Sequence, residues 1–118
     1  MILLVLLQIL SGVWKPQRFV ILKDALTITR RVTYVAKERD GDWHVCVFPD
    51  SEYAKYLNAK NIERQHGTIV VEVVPSEQNE IHKPKKGERV SATGVYVLDK
   101  HHGGWAEIHP CHKLLIIN

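Results

Sequence analysis

One long stretch of alternating apolar and polar residues constrains this chain more than any other feature. Residues 25–38 read ALTITRRVTYVAKE, and only Arg30 interrupts the apolar series on one of their two faces. That face carries Leu26, Ile28, Val32, Tyr34 and Ala36. Because side chains alternate between the two faces of a strand, the pattern predicts one long, half-buried strand. The Asp40–Gly41 pair that follows is typical of a tight hairpin turn, and residues 43–48 would form the return strand.

Three more segments complete a set of five predicted strands: residues 68–74, 89–98 and 105–117, the last bent or interrupted at Pro110. A short helix is predicted over residues 52–57 and a loop over 58–67. This content predicts a mainly β fold, an OB-like five-stranded barrel with one short helix. The helix of OB barrels usually lies between the third and fourth strands, whereas the helix predicted here lies between the second and third.

The N-terminus is the most apolar part of the chain, from Met1 to Leu10. It is shorter than the roughly 20 residues that cross a bilayer, and it lacks the flanking features of a secretory signal. We interpret residues 1–24 as an apolar segment packed on the domain or at a subunit contact, and residues 25–118 as the OB-like domain. A homo-oligomer assembled through residues 1–13 is therefore one candidate partnership. A degenerate export signal or membrane-surface anchor is the alternative, and a cytoplasmic location is slightly favoured.

The totals permit several functions and exclude a few site types. The length of 118 residues suits a single domain, and the formal net charge of +3 is compatible with anionic partners. Cys46 and Cys111 are far apart and form no CxxC pair, which excludes a zinc ribbon and a thioredoxin motif. We interpret them as two buried thiols, with a single bridge between them as the alternative.

Four short segments carry a resemblance to known proteins. They are DGDWH at residues 40–44, VEVVP at 71–75, GERVSATG at 87–94 and HGGWAEIHP at 102–110. With these, residues 25–118 resemble a group of small, functionally uncharacterised OB-fold-like proteins that share a DGDxH hairpin and an HGWxEIHP segment. The chain departs from that pattern by a second glycine ahead of Trp105, which changes how His102 is presented. The resemblance implies an OB-like fold and no particular activity.

Acidic and histidine side chains gather at the first hairpin and near the C-terminus. In a strand, Asp42 and His44 share one face, and so do Glu107 and His109. If the two hairpins meet, these groups form a donor set suited to zinc or non-haem iron. The candidate metal ligands are Asp42, His44, His102, Glu107 and His109. The alternative, favoured because no tight HxxxH or CxxC spacing is present, is a structural hydrogen-bond network that joins the hairpins.

The predicted ligand surface follows from how OB barrels bind, with strands two and three and the flanking loops. Candidate ligand-binding residues combine aromatic and basic side chains: Arg30, Arg31, Trp43, Tyr53, Tyr56, Arg64, Lys85, Lys86 and Arg89. We predict a binding or interaction module for single-stranded nucleic acid or another anionic polymer. The alternatives are a metal-binding protein or metal-dependent enzyme, and a structural subunit that assembles through its N-terminus. We assign no catalytic residue, and a non-enzyme is favoured.

Overall fold

The computed structural model describes residues 8–117, and these are mostly β. One mixed sheet contains five strands: β1 (Phe19–Lys37), β2 (Trp43–Pro49), β3 (Ile69–Val73), β4 (Arg89–Asp99) and β5 (Ala106–Ile117). Among residues 8–117 there are also a short α-helix, α1 (Ala59–Arg64), and 3-10 helices at Pro16–Arg18, Ser51–Tyr56 and Pro75–Glu77. The predicted mainly β fold is confirmed.

The strands pair in the order β1-β2-β3-β5-β4, and β4 pairs again with β1, so the sheet closes on itself. β3 and β5 are parallel, and the other pairs are antiparallel. β1 is long because its first part pairs with β4 and its last part with β2. Alternate side chains of the strands fill the interior with valine, isoleucine and leucine, among them Val45, Val71 and Ile108.

An irregularity in β1 changes which side chains reach this interior. The pairing with β2 shifts between Val32 and Tyr34, and an extra residue of this kind exchanges the two faces of a strand. Val32 is buried and Val35 packs against the core, whereas Tyr34 is 54% exposed. Ala36 pairs with His44, on the outer side of the sheet. The predicted inward face is therefore wrong for Tyr34 and Ala36.

Helix α1 occupies part of the predicted loop over residues 58–67, which is a second correction. Asn58 caps the helix, since its side chain accepts hydrogen bonds from the backbone N–H groups of Lys60 and Asn61. The Asn61 side chain accepts one from the N–H of Asn58 in return. This pair of asparagines replaces the Ser/Thr and Glu/Gln of the commoner capping box, and so the start of the helix is inconspicuous in the sequence.

The described part of the N-terminus packs on its own domain. Leu10 and Val13 are buried with Phe19, Val74, Val95 and Val97 in a second apolar cluster outside the closed sheet. β1 begins at Phe19, ahead of the predicted domain start at Ala25. Residues 1–7 lie outside the described part, and assembly through residues 1–13 stays a prediction. Among the described residues, no helix has the length and apolar character needed to cross a membrane. Cys46 and Cys111 are free thiols and both are buried.

Candidate metal centre

A patch of polar side chains lies on the outer face of three neighbouring strands. His44 is on β2, Glu72 on β3, and Glu107 and His109 on β5. Each alternates with side chains of the interior core, so each points away from that core. His44 lies directly opposite Glu72, and Glu107 lies beside Val70 in the parallel β3–β5 pair. With Glu38 and Asp42 from the β1–β2 turn, these residues form what we call the polar cluster.

Short contacts join the members of the polar cluster. His44 Nδ1 lies 2.8 Å from Glu72 Oε1 and 3.6 Å from Glu38 Oε1. His109 Nδ1 lies 3.0 Å from Glu107 Oε1, and its Nε2 lies 3.1 Å from Asp42 Oδ2 without the alignment of a hydrogen bond. These contacts bring the Asp-Gly-Asp hairpin together with the C-terminal Glu-Ile-His segment.

The centre of the polar cluster is shielded from water. Glu72, Glu107 and His109 are each at most 3% exposed, and the ring of Phe19 lies edge-on to that of His109 at 4.8 Å. Glu72 Oε2 and His109 Nε2 have no hydrogen-bond partner among residues 8–117. A buried carboxylate oxygen without a partner is costly, because it has given up its hydration. Glu72 therefore has an unused ligand atom in the most buried part of the cluster.

The pKa values of these groups move in the directions that an excess of carboxylates requires. Burial raises the pKa of Glu72 well above its ordinary value, and it raises that of Asp42 as well. Burial alone would lower the pKa of His44 and of His109, but contacts with neighbouring groups outweigh it. Contacts with Cys46, Glu38 and Glu72 raise the pKa of His44 to about 12. Contacts with Asp42 and Glu107 raise the pKa of His109 to about 9.

The raised pKa values of His44 and Glu72 have a simple electrostatic cause. The polar cluster contains four carboxyl groups and only two imidazoles. Even with both imidazoles charged, four ionised carboxylates would leave two negative charges in a buried volume. Glu38, which is more exposed, is the exception, since its contact with His44 lowers its pKa to about 2. Either protons or another cation would reduce the negative charge of the cluster.

Within residues 8–117, three sets of side chains offer donor atoms that lie within 4.8 Å of one another. They are Glu38, His44 and Glu72; Glu72, Glu107 and His109; and Asp99, His102 and Glu107. These histidine and acidic groups, most of them buried, could hold a metal ion. Of the predicted ligands, His44, His102, Glu107 and His109 belong to these sets, while Asp42 contacts His109. Glu72 was missed, although a single carboxylate within the apolar run 68–74 was a usable signal.

The loops on either side of the polar cluster leave it partly accessible. His102 in the β4–β5 loop is half-exposed, stacks on Trp105 and contacts the buried carboxylate of Asp99 through Nδ1 at 2.7 Å. Trp105 in turn donates its indole N–H to Glu107 at 2.7 Å. A cavity of about 150 Å³ lies among these side chains, Glu38 and Glu72. The β1–β2 and β4–β5 loops therefore border a small opening above the cluster.

The predicted ligand-binding residues occupy several separate regions. Trp43, Tyr53 and Tyr56 are half-buried against the interior core. Arg64 is exposed on α1 and borders a cavity of about 460 Å³ beside Cys46. The remaining predicted residues lie together where β1 pairs with β4 and β2: Arg30, Arg31, Lys85, Lys86 and Arg89. The structure thus separates the predicted aromatic residues from most of the basic ones.

We expect the stability of the metal-free protein to fall as the pH rises from about 6.5 to about 9. The pKa of His109 is raised to about 9, so its contribution is complete below about 6.5, its unfolded value. That contribution is lost as the pH rises through the pKa of the folded state, and it amounts to about 3 kcal/mol of the free energy of unfolding at most. Urea unfolding with a chelator present, at several pH values, measures this change. His109→Gln should have a smaller fall over the same range, and an equal fall in both proteins would contradict the assignment.

No protein-family model matches the sequence, and no curated protein is significantly similar to it.

Proposed function

We propose that this chain is an OB-type domain that binds one divalent transition-metal ion, zinc or iron(II), in the polar cluster. The ligands would be Glu72, Glu107 and His109, with His44 adjacent. The observation that carries the proposal is the carboxylate of Glu72, which is 3% exposed and whose Oε2, beside the other two donors, has no hydrogen-bond partner within residues 8–117. A bound cation would compensate the negative charge of this buried carboxylate.

The chemistry of the donors supports a transition metal over other cations. Imidazole and carboxylate together suit zinc and iron, whereas calcium and magnesium prefer oxygen ligands alone. Oδ2 of Asp42 lies 3.1 Å from Nε2 of His109, whereas Nδ1 of the same ring lies 3.0 Å from Oε1 of Glu107. Nδ1 is therefore the ring nitrogen on the side of the proposed ligand Glu107. A carboxylate behind a ligating histidine is the usual arrangement that fixes the ring orientation and raises its basicity. Asp42 would therefore be a positioning residue.

The OB assignment is supported by the closed strand order and by the location of the polar cluster. OB barrels bind ligands on the face of strands two and three, between the β1–β2 and β4–β5 loops. The polar cluster lies on β2, β3 and β5, and those two loops border its opening. The chain departs from the usual arrangement in one respect, because α1 lies between β2 and β3.

Metal titration of Glu72→Gln tests this function directly. The chelator-treated protein should bind about one Zn²⁺, Fe²⁺ or Mn²⁺ per chain in calorimetry, with release of protons that grows at lower pH. Glutamine keeps the shape of the side chain, and we expect it to weaken binding by about 100-fold or more. A bound ion should also stabilise the fold, by about 2.7 kcal/mol at 100 times its Kd.

Glu80→Gln is the matched control, since Glu80 is an exposed carboxylate outside the polar cluster. It should bind metal as the unmodified protein does. The proposal fails if neither Zn²⁺ nor Fe²⁺ binds, or if the two glutamine variants bind equally well. Either result would leave the polar cluster as a proton-sharing structural network.

A further inference from the structure

A second surface, distinct from the polar cluster, combines exposed aromatic and basic side chains. Cross-strand partners in an antiparallel pair point to the same face. Arg31 on β1 is paired with Phe48 on β2 and with Arg89 on β4. The neighbours of Arg31 and Arg89 along their strands, Val32 and Val90, are fully buried, so this row points outward. The row is therefore an arginine–arginine–phenylalanine strip across three strands, which we call the basic strip.

More cations are held beside the basic strip. The guanidinium of Arg30 lies 5.3 Å from the centre of the Phe48 ring. The backbone N–H of Gly87 donates to the carbonyl of Val32 at 2.7 Å, and the N–H of Val32 donates to the carbonyl of Glu88 at 2.9 Å. These two bonds fix the turn that carries Lys85 and Lys86, both exposed, next to the strand of Arg31.

The acidic groups in this region do not cancel its charge. Asp50 lies 3.9 Å from Arg30 and accepts a hydrogen bond from Thr29, and Glu88 accepts the N–H of Lys85. Two carboxylates thus face five cationic side chains: Arg30, Arg31, Lys85, Lys86 and Arg89. Most of the buried carboxylates of the chain lie instead in and around the polar cluster. The small net charge of +3 is therefore the sum of a positively charged region and a separate region rich in carboxylates.

We propose that the basic strip binds single-stranded nucleic acid, with a base stacked on Phe48 and phosphates on Arg31 and Arg89. Phe48 is 44% exposed and lies at the β2 end of the strip, next to Arg31. Stacking on an exposed ring needs unpaired bases, and the two arginines on one side of the ring suit the phosphates next to the stacked base. Thr29 and Ser91, paired in the next outward row, add hydroxyl groups that can reach the same backbone. This binding is independent of the metal function.

Fluorescence anisotropy with a labelled oligothymidylate of about 15 nucleotides tests the proposal. We expect measurable binding at about 0.05 M salt that weakens as salt is raised toward about 0.2 M. Replacing both Arg31 and Arg89 by alanine should reduce the logarithmic salt slope by about 1.4, since two phosphate contacts are lost at about 0.7 each. Phe48→Ala should weaken binding by about tenfold without changing the slope.

Lys60→Ala combined with Lys100→Ala is the control, because it removes two cations that lie outside the basic strip. It should keep the affinity of the unmodified protein within about twofold and leave the salt slope nearly unchanged. All the substituted side chains are at least partly exposed, so circular dichroism should show an unchanged fold. The proposal is overturned if the oligonucleotide does not bind at the lowest salt, or if the control weakens binding as much as the arginine variant. Equal binding of duplex DNA or heparin, with no effect of Phe48→Ala, would also overturn it.

Discussion

Replacing Asn61 by alanine should lower the free energy of unfolding by about 4 kcal/mol, one of the largest effects of any single substitution in this protein. The Asn61 side chain is completely buried and uses all of its hydrogen-bonding capacity. Its amide donates to the carbonyls of Thr68 and Ala106, and its oxygen accepts from the N–H groups of Asn58 and Ala106. Alanine would leave several of these backbone groups buried and unpaired.

Urea denaturation followed by circular dichroism measures this loss. Ile62→Ala is a suitable control, because Ile62 follows Asn61 on the same helix and is 63% exposed. Its replacement should lower the free energy of unfolding by only a few tenths of a kcal/mol. Asn61→Asp should be nearly as harmful as alanine, since it preserves the shape but removes both donors. If Asn61→Ala cost less than about 1 kcal/mol, the side chain could not be the link between α1 and the start of β5.

Gly94→Ala should destabilise the protein by about 3 kcal/mol or more, for a steric reason. A Cβ at this position would overlap the carbonyl oxygen of Pro110, and it would lie 2.8 Å from the Cα of Cys111. Both atoms belong to the backbone of β5, so no side-chain rotation relieves the contact. The close approach occurs where the β4–β5 pairing shifts its register.

The same denaturation experiment on Gly87→Ala separates this overlap from the general cost of replacing glycine. A Cβ at Gly87 would meet no atom within 4 Å, although the φ of 95° there is unfavourable for alanine. We expect a loss of about 1 kcal/mol. Equal losses of unfolding free energy at the two positions would contradict the close contact between β4 and β5 at Gly94.

The sequence predicted the strands well because their periodicity is a local property. β2, β3 and β4 agree closely with the predicted segments, and β5 runs through Pro110, where a bend or interruption was predicted and where its pairing with β4 shifts register. Two properties were not local. The irregularity after Val32 depends on how β1 is shared between β2 and β4, and it turned Tyr34 outward. Helix α1 depends on Asn61, whose partners at Thr68 and Ala106 lie in other parts of the chain.

The candidate site was predictable only in part, for a related reason. Asp42, His44, Glu107 and His109 stood out because each lies close to another polar residue of the same motif. Glu72 lies alone among valines, and the parallel pairing of β3 with β5 brings it beside the others. Likewise, Phe48 is exposed beside Arg31, a cross-strand pairing that the sequence of β2 alone does not show. Neighbours across a sheet cannot be read from one strand.

On β2, β3 and β5, the hydrophobic interior and the polar cluster are built on alternate residues of the same strands. Deletion of Glu107 would turn Ile108 toward water and His109 toward the interior. Only changes in strand length by two residues keep both sets of side chains on their proper sides. During the history of such a sequence, these three strands could accept substitutions one at a time, but gains or losses of residues would be confined to the connecting loops.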